Sequence, residues 1–200
     1  MSDRQKKKKV VVAYSGGLDT SYCIVYLKEC GYEVHAVTVN TGGFTAEEMK
    51  SSHEKALEIG ADSFKEINSK KDFYDNCLRY FIAGNVLRNQ TYPLSVSAER
   101  VFQAKAIADH ARLIDATHIA HGSTGAGNDQ IRFDLVFRVL CPEMEIITPI
   151  RDQQLSRLDE ISYLKSHGVD LDWEKTQYSV NKRLWGTSVG GKETLKSWDY

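Results

Sequence analysis

Three consecutive valines, Val10-Val11-Val12, lead straight into Ala13-Tyr14-Ser15-Gly16-Gly17-Leu18-Asp19-Thr20-Ser21, and a helix-patterned segment follows at once. A buried-type strand, a small hydroxyl-rich turn and a helix in that order constrain the fold more than anything else in the chain. Gly16 and Gly17 lack a Cβ, so the backbone there is free to take unusual dihedrals and to come close to a ligand. Ser15, Thr20 and Ser21 add hydroxyl donors, and the helix start adds unpaired N–H groups and a partial positive charge. The combination suits a polyphosphate. The competing reading is a tight turn capped by Asp19 or Thr20. It accounts for one glycine and one cap, and it leaves the second glycine and the remaining hydroxyls unexplained.

Downstream, short β-branched runs alternate with longer helical patterns, which signals βαβ units and a parallel sheet. Strands are expected at Lys9–Tyr14, Glu33–Val39, Ser63–Ile67, Thr117–Ala120 and Glu145–Thr148. Helices are expected at Thr20–Cys30, Glu47–Ile59, Ala98–Leu113 and Leu155–His167, with one longer or broken helix over Asp72–Leu87 and another opening near Asp129. Val101, Ala104, Ala108 and Ala111 share a face that suits close packing on a sheet. The fold class is therefore α/β, a twisted parallel sheet with helices on both faces. Its domain covers residues 1–168, and a second begins in the irregular Trp- and Gly-containing stretch 169–200. In such a sheet ligands bind beyond the carboxyl ends of the strands, which singles out Ser15–Asp19, Asn40–Phe44 and Gly122–Asn128.

Charge narrows the partners. The 200 residues carry 26 basic and 27 acidic side chains, a net charge of -1, which argues against a general nucleic-acid or anionic-membrane binder. Lys6-Lys7-Lys8-Lys9 reads as a solvated lead-in to the first strand. Without an apolar span or leader pattern, a cytoplasmic location is expected. Cys23, Cys30, Cys77 and Cys141 show no Cys-x-x-Cys spacing and are expected as reduced, mostly buried thiols. The six histidines are scattered, so no metal cluster and no catalytic histidine is picked out.

The first loop lacks the Gly-Lys-Ser/Thr ending of the Walker loop and the Gly-x-Gly-x-x-Gly fingerprint. Ser15-Gly16-Gly17-Leu18-Asp19-Thr20-Ser21 instead resembles the pyrophosphate loop of the N-type ATP pyrophosphatases, which split ATP into AMP and pyrophosphate while adenylating a substrate. A second glycine-rich loop, His121-Gly122-Ser123-Thr124-Gly125-Ala126-Gly127-Asn128-Asp129-Gln130-Ile131-Arg132-Phe133, follows a strand and opens a helix. Together with Tyr92 to Arg100, Thr148-Pro149-Ile150-Arg151 and Tyr178-Ser179 followed by Leu184-Trp185-Gly186-Thr187-Ser188, these segments resemble the argininosuccinate synthases through most of the chain.

That resemblance implies a Rossmann-like, adenine nucleotide alpha hydrolase-like domain that uses ATP with Mg²⁺ to join citrulline and aspartate. It implies that Ala13, Tyr14, Ser15, Gly16, Gly17, Leu18, Asp19, Thr20 and Ser21 hold the ATP phosphates, with Val39 near the adenine and Gly122 to Gly127 completing the pocket. By position, Tyr92, Ser97, Asn128, Arg132, Ser179 and Ser188 match citrulline-binding residues, and Thr124, Asn128 and Asp129 match aspartate-binding ones. The chemistry suits them: Arg132 can fork onto a carboxylate, and Asn128 offers donor and acceptor to amide-like groups. Alternatives stand beside these roles. Arg132 also reads as a surface ion-pair partner of Asp129 or Asp134, Tyr92 as a core or rim aromatic, and Ser97 as the N-cap of the Ala98 helix. Asp19 reads as a helix cap in preference to a group that organises magnesium.

The resemblance implies family members about twice as long, with a second domain that adds citrulline contacts and much of a homotetramer interface, so a truncated chain is expected. Val189-Gly190-Gly191 stands where relatives commonly carry an acidic residue. A noncatalytic ATP-binding module and a tRNA-thiolating pyrophosphate-loop enzyme are the rival readings, the latter lacking the catalytic Cys pair and basic face it would need.

Overall fold

The computed structural model describes residues 7–90, 92–125, 127–169, 179–182 and 184–190. Five strands, β1 (Lys9–Ala13), β2 (Glu33–Asn40), β3 (Ser63–Asn68), β6 (His118–His121) and β7 (Glu145–Ile147), form one sheet in the order β3-β2-β1-β6-β7. Every pairing is parallel, with Val10 opposite both Val34 and His118. Between these strands run α1 (Leu18–Glu29), α2 (Ala46–Glu58), α5 (Ser95–Leu113) and α6 (Asp129–Leu140), and α7 (Pro149–Asp152) and α8 (Arg157–Ser166) follow β7. Two short antiparallel hairpins stand apart from the main sheet: β4 (Leu87–Arg88) with β5 (Tyr92–Pro93), and β8 (Ser179–Lys182) with β9 (Thr187–Gly190).

The valine run explains why β1 lies at the centre. Side chains alternate along a strand, and Val10 and Val12 enter one core layer with Ile24, Leu27, Val34 and Leu164, while Val11 enters the other with Val37, Ala104, Ala108 and Phe137. All three valines are fully buried, each burial favouring the fold by about 1.5–3 kcal/mol. An unbroken apolar run is what a strand covered on both faces requires.

The five expected strands are present, with ends shifted by a residue or so. Asp72–Leu87 resolves into α3 (Lys70–Phe73), a π-helical segment (Tyr74–Leu78) and α4 (Arg79–Ala83), and Leu87 leaves the helix for β4. Val101 does not face the sheet: it is 45% exposed, whereas Ala104, Ala108 and Ala111 are buried. At 100° per residue, Val101 sits roughly 60–70° from the middle of the stripe formed by Ala104, Ile107, Ala108 and Ala111. Helix α5 starts at Ser95, so Ser97 lies inside it and is not its N-cap. In α1 the N-cap is Gly17, without a side-chain cap. Asp19, as the second helical residue, does not cap either. Three cysteines are buried, and Cys30 is exposed. No helix among the described residues is long and apolar enough to cross a membrane.

Candidate functional site

From β1 the chain proceeds to one side of the sheet through β2 and β3, and returns to the other side through β6 and β7. The strand order reverses between β1 and β6, and a crevice opens at the carboxyl ends of such a pair. Both glycine-bearing loops leave the sheet here, the first after Ala13 and the second after His121. A cleft of ≈ 1290 Å³ lies between them, walled by the starts of α1 and α6, by α2 and by the first turns of α5.

The first loop is held by its own hydroxyls. Thr20 Oγ1 accepts from the Ser15 N–H at 3.3 Å and donates to the Gly17 carbonyl at 3.2 Å, while Ser21 Oγ donates to the same carbonyl at 2.8 Å. The unusual backbone falls on Gly16 alone: its φ is +80°, and an added Cβ would come 3.0 Å from Ser52 Oγ. Gly17 has φ −84° and room for a Cβ, so the sequence expectation of special dihedrals at both glycines holds for one. A Cβ on Gly122 would lie 3.0 Å from the backbone carbonyl carbon of Asp19. The two loops therefore touch backbone to side chain position, and only a glycine permits that spacing.

Beneath the first loop, Asp19 shares a hydrogen bond with Glu160 of α8, and Arg157 lies close by. Two carboxyl groups in contact need a proton between them. Burial, and then Asp19, push Glu160 up to about 8, and burial raises Asp19 as well against the pull of Glu160 and Arg157. Tyr14 is buried, which pushes its hydroxyl up to about 12.

The second loop is fixed by His121, fully enclosed at the end of β6. Its Nε2 donates to Asp134 at 2.8 Å, its Nδ1 accepts from the Ser123 N–H at 3.3 Å, and its ring stacks on Phe133. Burial keeps this imidazole below its ordinary pKa despite Asp134. Asp134 also receives Arg151 at 2.8 Å. Both ring nitrogens are thus committed to positioning the loop.

On the far wall, Asp129 stands between two guanidinium groups. Arg132 donates to its Oδ1 at 2.6 Å and Arg100 to its Oδ2 at 3.0 Å. Burial alone would raise the Asp129 carboxyl, but the two cations outweigh it and hold it below its ordinary value. Arg132 reaches Ser97 Oγ at 3.1 Å, and Arg100 donates to Gln103, which bonds the buried Glu99. Of the two ion-pair partners considered for Arg132, Asp129 is the one used.

The cleft brings together Ala13, Tyr14, Ser15, Gly16, Gly17, Leu18, Asp19, Thr20, Val39, Ser97, Gly122, Thr124, Asn128, Asp129 and Arg132. Ser21 does not line it; fully buried, it supports the loop from behind. Tyr92 lies in β5, Ser179 in β8 and Ser188 in β9, but their side chains lie outside the described residues. The β8–β9 hairpin reaches the rim, where Trp185 O accepts from Ser95 Oγ at 3.2 Å.

Several cleft residues escaped the sequence reading: Glu48, Ser52 and Lys55 on α2, Arg100 and Gln103 on α5, and Arg157 on α8. One signal was available for Ser52, because it interrupts the apolar stripe Met49, Ala56, Ile59 at helical spacing. Arg100 closed the Tyr92–Arg100 segment that carried the family resemblance, but nothing in the sequence set it apart as a site residue.

An all-parallel sheet with two glycine loops meeting at its switch point defines a Rossmann-like α/β domain. Residues 9–170 match the model described as Arginosuccinate synthase N-terminal HUP domain. The chain belongs to the argininosuccinate synthase family. It is 42% identical over 184 residues to argininosuccinate synthase of Rubrobacter xylanophilus, covering 91% of this chain and 44% of that one. The enzyme of the same name from Methanocaldococcus jannaschii is 40% identical over 92% of this chain and 46% of its own, and that of Lactococcus lactis 36% over 96% and 48%. The chain thus spans a little under half the length of these relatives. A solved structure titled as a predicted subunit of tRNA methyltransferase from Methanocaldococcus jannaschii superposes with a TM-score of 0.54 at 21% identity, over 79% of this chain and 75% of that one, a likeness of fold alone.

Proposed function

We propose that this chain is the nucleotide-binding part of an argininosuccinate synthase, a ligase of arginine biosynthesis acting on ATP, citrulline and aspartate. The observation that carries the reading is the meeting of two glycine loops with the Arg100–Asp129–Arg132 cluster in one cleft. Phosphates would lie on the N–H groups and hydroxyls of Ser15 to Thr20, and the adenine near Val39. Arg132, Ser97 and Asn128 would receive citrulline, with Thr124 and Asp129 facing the amine and carboxylates of aspartate.

In this reaction the ureido oxygen of citrulline attacks the α-phosphorus, the bond to the bridging oxygen breaks, and its electron pair leaves with pyrophosphate. The amine of aspartate then displaces AMP from the adenylated carbon and loses a proton. Positioning and charge stabilisation supply most of such catalysis, and the cleft offers both. Mg²⁺ enters as part of the substrate, MgATP. The loop carboxylate Asp19 is already engaged by Glu160 and Arg157, and the described residues hold no group of three metal-binding side chains, so no protein cage is assigned to it.

The limit of the nucleotide domain near residue 168 is supported by the family match ending at residue 170. A cytoplasmic homo-oligomer, tetrameric in the whole protein, completes the proposal. Product analysis of α-labelled ATP with Mg²⁺, citrulline and aspartate tests it: AMP that requires citrulline supports the adenylation step, and ADP contradicts it. Nucleotide binding without any turnover would favour a binding module over a ligase.

A further inference from the structure

The loop assigned to the phosphates brings no cation of its own, since Asp19 is the one charged side chain between Ala13 and Ser21. Hydroxyls and backbone N–H groups offset only part of the charge of a triphosphate. Two cations from other elements line the cleft on this side, Arg157 at the start of α8 and Lys55 in the last turn of α2. Arg157 stands beside the Asp19–Glu160 pair, whose charge it offsets.

Lys55 is placed differently. Its Nζ donates to the Gly16 carbonyl at 3.1 Å, which sets an ammonium against the backbone of the loop at its one residue of positive φ. Among the described residues no carboxylate makes an ion pair with it. Burial lowers its pKa, and Glu58 only partly opposes that effect. The protein thus holds a half-buried positive charge at the edge of an anion cradle, offset only by the Gly16 carbonyl and in part by Glu58, an arrangement that an arriving anion stabilises. The helix that carries it is anchored: Thr45 and Glu48 close a capping box, and Met49, Ser52 and Ala56 are buried.

We propose that Lys55 is the phosphate-reading cation of this site, contacting the two terminal phosphates of ATP and the pyrophosphate that departs. It supplies from α2 the charge that a Walker loop supplies from its own lysine. No proton is transferred; the ammonium balances the electron pair that pyrophosphate carries away. The proposal rests on the reading of the cleft as an ATP site.

Calorimetric titration of the 200-residue chain with MgATP, pyrophosphate and AMP, for the wild type, Lys55→Gln and Lys55→Arg, tests it. Lys55→Gln is expected to weaken ATP and pyrophosphate about tenfold or more, the scale of one charge-assisted hydrogen bond, and AMP by less than about twofold. Lys55→Arg, which keeps the charge, is expected to recover most of the loss. Equal weakening of all three ligands would overturn the proposal, because it would mean that Lys55 only props the Gly16 carbonyl. Unchanged ATP affinity in Lys55→Gln would overturn it too. A wild-type chain that binds none of the three would overturn the ATP reading itself, and this proposal with it.

Discussion

At the scale of single residues, two positions separate what the loop needs from what it tolerates. Gly16 combines a φ of +80° with a neighbouring Ser52 oxygen 3.0 Å from where a Cβ would sit. Gly16→Ala is therefore expected to cost about 1–2 kcal/mol in backbone strain, and Gly17→Ala, at an N-cap position, less than about 1 kcal/mol. Thermal unfolding of both variants checks this, and equal losses would contradict it. Glu160 makes a second test. Facing Asp19, Arg157, Asp159, Tyr22 and Cys23, it is raised in the fold from 4.5 to about 8. The folded state therefore holds an extra proton between those values, and stability is full below the lower one and lost as pH rises through the upper. Glu160→Gln keeps a donor for Asp19 but cannot ionise. Its Tm relative to the wild type should rise between pH 5.5 and 8.5, by roughly 2–4 °C for each kcal/mol relieved. A constant difference across that range would show that the pair does not hold the proton. The glycines of this loop stood out in the sequence, but the partner of Asp19 did not, because 141 residues separate the two carboxylates and no local pattern links them.

At the scale of elements, α2 matters most to the site, since it closes the cleft with Glu48, Ser52 and Lys55. Its start depends on the reciprocal bonds of Thr45 Oγ1 to the Glu48 N–H at 3.2 Å and of the Glu48 carboxylate to the Thr45 N–H at 2.9 Å. Thr45→Ala is expected to remove about 1 kcal/mol and to weaken ATP binding modestly by loosening the helix. A thermal melt paired with an ATP titration checks both, and loss of stability with no change in affinity would detach α2 from the site. The periodicity that reveals α2 in the sequence works less well for Asp72–Leu87. There a π-helical segment shifts the register at Tyr74–Leu78, and a pattern read at a fixed 100° per residue runs on past Ala83. In α5 the same arithmetic keeps Val101 near the buried stripe, although it stands 45% exposed. The hairpins β4–β5 and β8–β9 gave no signal, because their two to four residues carry no apolar run flanked by helical patterns of the kind that marked the equally short β6 and β7.

At the scale of the whole molecule, the order β3-β2-β1-β6-β7 is what makes a site out of two separate loops. The strands, and the sheet edge where both glycine loops leave them, were legible from runs of β-branched residues and from glycine positions. The sheet order itself was not, since it depends on which connections cross which face. That order brings Gly122 against Asp19, so close that a Cβ would meet the Asp19 backbone at 3.0 Å, and it sets the Asp129 cluster across the cleft from Ser15 to Thr20. One nucleotide is expected to engage both loops at this switch point. Amide hydrogen exchange of the chain with and without MgATP tests it most directly. Residues 14–21 and 121–128 are expected to gain protection together, with β7 and the β3 edge unchanged. Protection confined to one loop, or appearing elsewhere on the sheet, would contradict it.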